Sequence, residues 1–89
     1  MKEEKIGTVR HYYSHLGVAG IILQGEVKVG DKIHVKGHTS DFTQKVDSME
    51  IGHNRVESAK GGDDIGIRVA GHARQHDAVY KIIEEKDAA

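Results

Sequence analysis

Seven histidines are the side chains best suited to metal or proton chemistry here, and six of them fall in three pairs spaced four apart: His11 and His15, His34 and His38, His72 and His76. On a helix that spacing puts two imidazoles on one face, about 5–6 Å apart at Cβ, where they can share a zinc ion. On a strand, four steps of about 3.3 Å separate them by roughly 13 Å, too far to chelate one ion. The chemistry open to each pair therefore depends on the element beneath it. Asp63-Asp64 poses a similar question. Two carboxylates can serve acid–base hydrolysis, but after Gly62 they read first as a turn.

Three further clusters are rich in cations and hydrogen-bonding groups. Arg10-His11-Tyr12-Tyr13 sets a cation beside two aromatics. Lys36, His38, Thr39 and Ser40 fall at one strand end, and His53-Asn54-Arg55 forms a second polar loop. Such side chains pair phosphates and stack on unpaired bases. Arg10, Tyr12, Tyr13, Lys36, His38, Thr39, His53, Asn54 and Arg55 are therefore the candidate RNA- or partner-binding residues. Signatures of catalysis are missing. Lys60-Gly61-Gly62-Asp63 is Gly-rich but lacks the Gly-Lys-Ser/Thr of a phosphate loop, and it offers carboxylates where phosphate needs amides and a cation. No serine sits in a Gly-x-Ser-x-Gly elbow. The absence of cysteine excludes disulfides, thiolate zinc sites and a thiol nucleophile. The expectation is a binding protein rather than an enzyme, with no metal, cofactor or bound nucleotide.

The elements that must position these residues read as strands. Ile and Val number nine each against two Leu, a strand composition, because β-branched side chains suit a pleated surface and are stiff in helices. Lys32 to Lys36 and Ile65 to Val69 alternate polar and apolar, as half-buried strands do. Further strands are expected over Lys5 to Tyr13, Val18 to Leu23, Phe42 to Ile51 and Val79 to Ile83. Within Phe42 to Ile51 the apolar positions change parity, from Phe42 and Val46 to Met49 and Ile51, which predicts a bend or bulge near Asp47-Ser48. Val18-Ala19-Gly20-Ile21-Ile22-Leu23 is apolar on both faces, so it is either a covered central strand or an edge that meets a partner, and an oligomer could form through it. Gly30-Asp31, Gly62-Asp63 and His76-Asp77 are three turn dipeptides, each feeding a strand.

The 89 residues are read as one domain, a barrel over about 5–83 with a charged tail at 84–89 too short to hold a helix alone. The expected fold is all-β: a small six-stranded antiparallel closed barrel. Thirteen Lys+Arg against fourteen Asp+Glu leave a net charge of -1. Residues 6–83 hold ten basic and nine acidic side chains, far from the global basic field of a duplex binder. The charged N-terminus opens no apolar signal segment, and no apolar run reaches the roughly 20 residues of a membrane span. A cytoplasmic protein without a membrane partner is expected.

The ordered series Gly7-Thr8-Val9, Val27-Lys28-Val29-Gly30-Asp31-Lys32-Ile33, Thr43 through Met49-Glu50-Ile51, and Ala59-Lys60-Gly61-Gly62-Asp63-Asp64-Ile65-Gly66-Ile67 resembles domain two of the translational GTPases, typified by elongation factor Tu. The resemblance covers roughly Lys5 to Ile83. His11-Tyr12-Tyr13, Leu16-Gly17-Val18-Ala19, Lys36 to Phe42 and Val79-Tyr80-Lys81-Ile82 are similar to short, free-standing elongation-factor-like proteins, and a similar module is appended to some collagenase-type peptidase-family proteins linked to RNA modification. The family would have Asn at Asp64, an aromatic at Gly52 and Gly at His76. The resemblance implies the six-stranded translation-protein barrel without its GTPase domain. It further implies a non-catalytic module that contacts ribosomal or transfer RNA, or docks on a translation or peptidase-family-like RNA-modifying protein. The alternative is a protein-docking or homo-oligomeric assembly module with no RNA contact.

Overall fold

Alternating Ile and Val build ten strands and no helix in the computed structural model, which describes residues 2–83. They are β1 (Lys2–Tyr13), β2 (Val18–Leu23), β3 (Val27–Lys28), β4 (Lys32–Lys36), β5 (Asp41–Lys45), β6 (Met49–Ile51), β7 (Asn54–Val56), β8 (Ser58–Ala59), β9 (Asp64–Arg68) and β10 (Ala78–Ile83). Eight form one antiparallel sheet in the order β5-β4-β10-β1-β2-β9-β6-β7, and β3 and β8 form a separate two-stranded ribbon. The tail expected at 84–89 lies outside the described residues. No described helix is long and apolar enough to cross a membrane.

One side chain set fills the concave face. Val9, Ala19, Ile21, Ile33, Val35, Met49, Ile65, Ile67 and Val79 are all buried, each such Ile or Val contributing about 1.5–3 kcal/mol by leaving water. β2 and β4 occupy the ranges expected of them, the first from its continuous apolar run and the second from its alternation. The parity change is also present: Val46 and Met49 are both fully buried, and the strand breaks over 46–48 between them.

That break also corrects the closed six-stranded barrel. β5 pairs only with β4, while β6 pairs with β9 and β7, so the hydrogen-bond ladder is open between β5 and β7 among the described residues. The expected strand Phe42 to Ile51 divides into β5 and β6, and the short strands β3, β7 and β8 bring the number to ten. Along the open flank of β5 a side chain substitutes for a strand. The Gln44 amide donates to the carbonyl of Arg68 at 2.9 Å and accepts from the Ala70 N–H at 2.7 Å.

The three turn dipeptides share one construction. In each, the Asp N–H donates to a carbonyl three residues upstream: Asp31 to Lys28 (3.0 Å), Asp63 to Lys60 (3.0 Å) and Asp77 to Arg74 (3.1 Å). In each, the Asp carboxylate accepts from the N–H of that same upstream residue, at 3.0, 3.0 and 2.9 Å. The residue before Asp is left-handed, with φ of 99° at Gly30, 96° at Gly62 and 78° at His76. These are type II turns, which need positive φ at that place. His76 adopts it at a cost of about 1 kcal/mol that glycine avoids. Asp77 is buried, and its carboxylate lies where a Cβ on Gly37 would stand.

Two stability outcomes follow for urea unfolding. Asp77→Ala should cost about 1–3 kcal/mol because it orphans a part-buried N–H, whereas Asp31→Ala, which removes an exposed hydrogen bond, should cost less than about 1 kcal/mol. His76→Gly should stabilise by up to about 1 kcal/mol. Equal losses for the two Asp variants, or a destabilised His76→Gly, would contradict this account of the turns.

Candidate functional site

Two bulges in β1 decide what faces outward. The ladder with β10 shifts between Lys5 and Gly7, and the ladder with β2 shifts between Val9 and His11. The second bulge leaves Arg10 as the extra residue. Its Nη2 reaches Asp64 Oδ2 at 2.7 Å, on the far side of β2. Both side chains are well exposed, so the pair orients more than it stabilises. Beyond the bulge Tyr12 packs against the core, and Tyr13 faces out at 44% exposure.

The outer faces of β1, β2, β9 and β6 then enclose a cleft of about 860 Å³. Its floor is backbone: Gly20 pairs with Gly66, and Gly66 with Glu50. The Arg10–Asp64 pair stands at one end and Val18, paired with Arg68, at the other. Tyr13, Leu16 and Ile51 add apolar rim, and the β6–β7 hairpin brings His53 and Arg55.

The nine candidate residues therefore divide. Arg10, Tyr13, His53 and Arg55 line the cleft, and Asn54 lies in the adjoining hairpin, its Nδ2 donating to the Gly52 carbonyl at 3.4 Å. Tyr12 lies elsewhere, its ring 4.6 Å from that of His72. The His72 carbonyl accepts from Ser40 Oγ, in the β4–β5 turn that also carries His38 and Thr39 just beyond Lys36. Reading by residue type missed Leu16, Val18, Gly20, Glu50, Gly66 and Arg68. The signal available for two of them was a glycine inside a strand pattern, which marks a close backbone approach or a bare surface.

None of the three histidine pairs lies on a helix, and the described residues contain no cluster of three or more potential metal ligands. His34 instead joins strands. Nδ1 bonds Glu3 on β1 at 2.8 Å and Nε2 bonds Asp41 on β5, so one imidazole links the flanks of β10 and β4. The Asp41 hydrogen bond raises the imidazole pKa most. Desolvation opposes it, and the bond and charge of Glu3 add to the rise, leaving it above the ordinary 6.5.

No protein-family model matches the chain. Over 81 residues it is 37% identical to an uncharacterized protease of Methanocaldococcus jannaschii, a match covering 90% of this chain and 20% of that protein. Over 84 residues it is 32% identical to a collagenase of Porphyromonas gingivalis, covering 92% of this chain and 23% of the relative. The chain thus spans about a fifth of the length of the curated relatives it matches. Its fold is that of a crystallised C-terminal domain from a Geobacillus thermoleovorans protein described as a U32 peptidase. The TM-score is 0.84 at 19% identity, covering 90% of this chain and 93% of that one. The selenomethionine variant of that domain gives 0.82, covering 85% and 96%.

These findings correct the likeness to domain two of the translational GTPases, and with it the translation and elongation-factor reading: the relatives are named for peptidases and collagenase. The physical reason is in the turns. The Gly-Asp units that carried the likeness are hydrogen-bonded type II turns feeding β4 and β9. Any small antiparallel sheet with strands in this order gains from them, whatever it binds.

A raised imidazole pKa stabilises the fold fully below the unfolded value near 6.5, and that stability is lost as pH rises through the folded value. The melting temperature should therefore fall as pH climbs upward from about 6.5. His34→Gln should flatten that part of the profile. A slope unchanged in the variant would assign it to other groups.

Proposed function

We propose that the chain is a non-catalytic recognition module of the kind that peptidases of the U32 type carry at the C-terminus, and that its ligand is polypeptide. Two observations support the reading. The relatives named protease and collagenase match over only about a fifth of their length, which leaves the remainder to carry the activity in those names. The cleft suits a chain of peptide units: a floor of bare backbone, an apolar rim at Tyr13, Leu16, Val18 and Ile51, and charges of both signs.

That cleft is the single observation that carries the proposal. Among the charges lining it, Arg10, Arg55 and Arg68 are matched by Glu50, Asp63 and Asp64. An RNA backbone asks for an unbalanced run of cations along its path. The other cationic candidate, Lys36, stands at the β4–β5 end rather than in line with these arginines. Polypeptide is therefore placed ahead of ribosomal or transfer RNA. The outer residues of β2, Val18 and Ile22, belong to the same face, so docking on a protein partner and peptide recognition draw on one surface.

The test is fluorescence anisotropy with labelled gelatin and, separately, a short single-stranded RNA, at low salt and at about 0.15 M salt. Gelatin should bind saturably at both, and Leu16→Ala should weaken it about tenfold, the loss expected of an apolar anchor. RNA bound tightly at low salt, released by salt and indifferent to Leu16, with no gelatin binding, would overturn the proposal.

A further inference from the structure

The charges of the cleft are not all in use. Asp64 is engaged by Arg10 at 2.7 Å. Asp63 accepts the Lys60 N–H within its own turn. Glu50 stands directly across the β6–β7 ladder from Arg55, opposite charges on one face though not joined in an ion pair. Arg68 is different. Its cross-strand neighbour is Val18, it is exposed, and no carboxylate of the described residues forms an ion pair with it. An unspent guanidinium thus borders the apolar corner made by Val18, Tyr13 and Leu16, the last 65% exposed.

Beside that corner lie Gly20 and Gly66. Neither has positive φ, so the backbone does not require glycine there. Nor does packing: a Cβ on Gly66 would meet Val18 Cγ1 at 3.4 Å, and one on Gly20 would meet the His11 carbonyl at 3.5 Å and the Tyr13 ring at 3.7 Å, all ordinary contacts. Two paired strand positions thus forgo side chains, at roughly 0.5–1 kcal/mol each; Gly20 is buried beside the Tyr13 ring, and half-buried Gly66 leaves the part of the floor that a flat group can approach closely.

We infer that this cleft binds an extended acidic peptide segment, an aromatic or large apolar side chain resting on Gly66 against Tyr13 and Leu16 and a neighbouring carboxylate meeting Arg68. The inference rests on the polypeptide reading above and gives it a substrate class. An Arg–carboxylate bond bordered by apolar surface is stronger than the same bond in open water. The guanidinium at that corner selects the sign of the group seated beside it, since a lysine in place of the carboxylate would face a like charge.

The probes are two fluorescein-labelled glycine-flanked peptides, one carrying Asp-Phe-Asp and the other Lys-Phe-Lys, titrated into the full chain alongside labelled gelatin. The acidic peptide should bind at least about tenfold more tightly than the basic one. Arg68→Glu, at an exposed side chain, should invert that preference. Gly66→Val should abolish binding while leaving the melting temperature equal or higher, as expected of a β-branched residue in a strand. Gly66→Ala, whose Cβ fits at 3.4 Å, serves if the valine disturbs the fold. Binding indifferent to peptide charge, or unchanged in the Gly66 variants, overturns the inference. Gelatin bound by the wild type and by Gly66→Val alike would place polypeptide recognition elsewhere, leaving the module reading intact. A wild type that binds neither gelatin nor peptide defeats both.

Discussion

A carboxylate that reaches back three residues governs the placement of this sheet. Asp31, Asp63 and Asp77 each close their turn twice, once through the backbone and once through the side chain. A turn closed from both sides leaves little freedom in how the next strand departs. In all three cases the first inward side chain comes two residues after the Asp: Ile33, Ile65 and Val79. Because strand side chains alternate, a slip of one residue at any of these turns would send an aliphatic row to solvent and a charged row inward. Two of the strands so launched, β4 and β10, are neighbours, while β9 lies on the other side of β1 and β2. One local device therefore aligns distant parts of the interior.

Locality also explains what the sequence could disclose. The turn chemistry, the apolar run of β2 and the alternation of β4 and β9 depend on residues a few positions apart, so they are legible in the chain. The parity change between Val46 and Met49 was equally visible, but not where the two halves would pair. β5 joins β4 and β6 joins β9, a non-local choice that leaves the ladder open. Strands as short as β3, β7 and β8 have no periodicity to read. The site was legible only in part for a related reason. Choosing polar and aromatic residues by type found Arg10, Tyr13, His53 and Arg55, but the bulge at Arg10 turned Tyr12 toward the core and separated it from them. Glycines and aliphatics on an outer face announce themselves only once the strands on either side are known.

The interior is filled by Ile, Val, Ala, Leu and Met, so any ligand has to use the outside of the sheet. Outside surfaces of antiparallel strands are usually convex and featureless. Here the bulged end of β1 and the β6–β7 hairpin rise on two sides of a floor without side chains, and a convex surface acquires a hollow. The same strands thus face two surroundings, an aliphatic interior on one side and the cleft on the other. The appended position of the related domain in its longer neighbour suits such a division, since a sheet whose core is independent of its outer face can be joined to another domain without rebuilding either.

The Gln44 amide has a consequence of its own. Where a neighbouring strand would supply a whole row of bonds, one side chain supplies two, to Arg68 and Ala70. Circumferential cohesion is therefore uneven, and this seam is its thinnest stretch. Under mechanical load or partial denaturation the wall should part there first, β5 and β4 moving away together while the laddered strands of the opposite wall hold. Amide hydrogens along the seam would trade with solvent before those of β1 and β2, giving the molecule a built-in direction of unfurling.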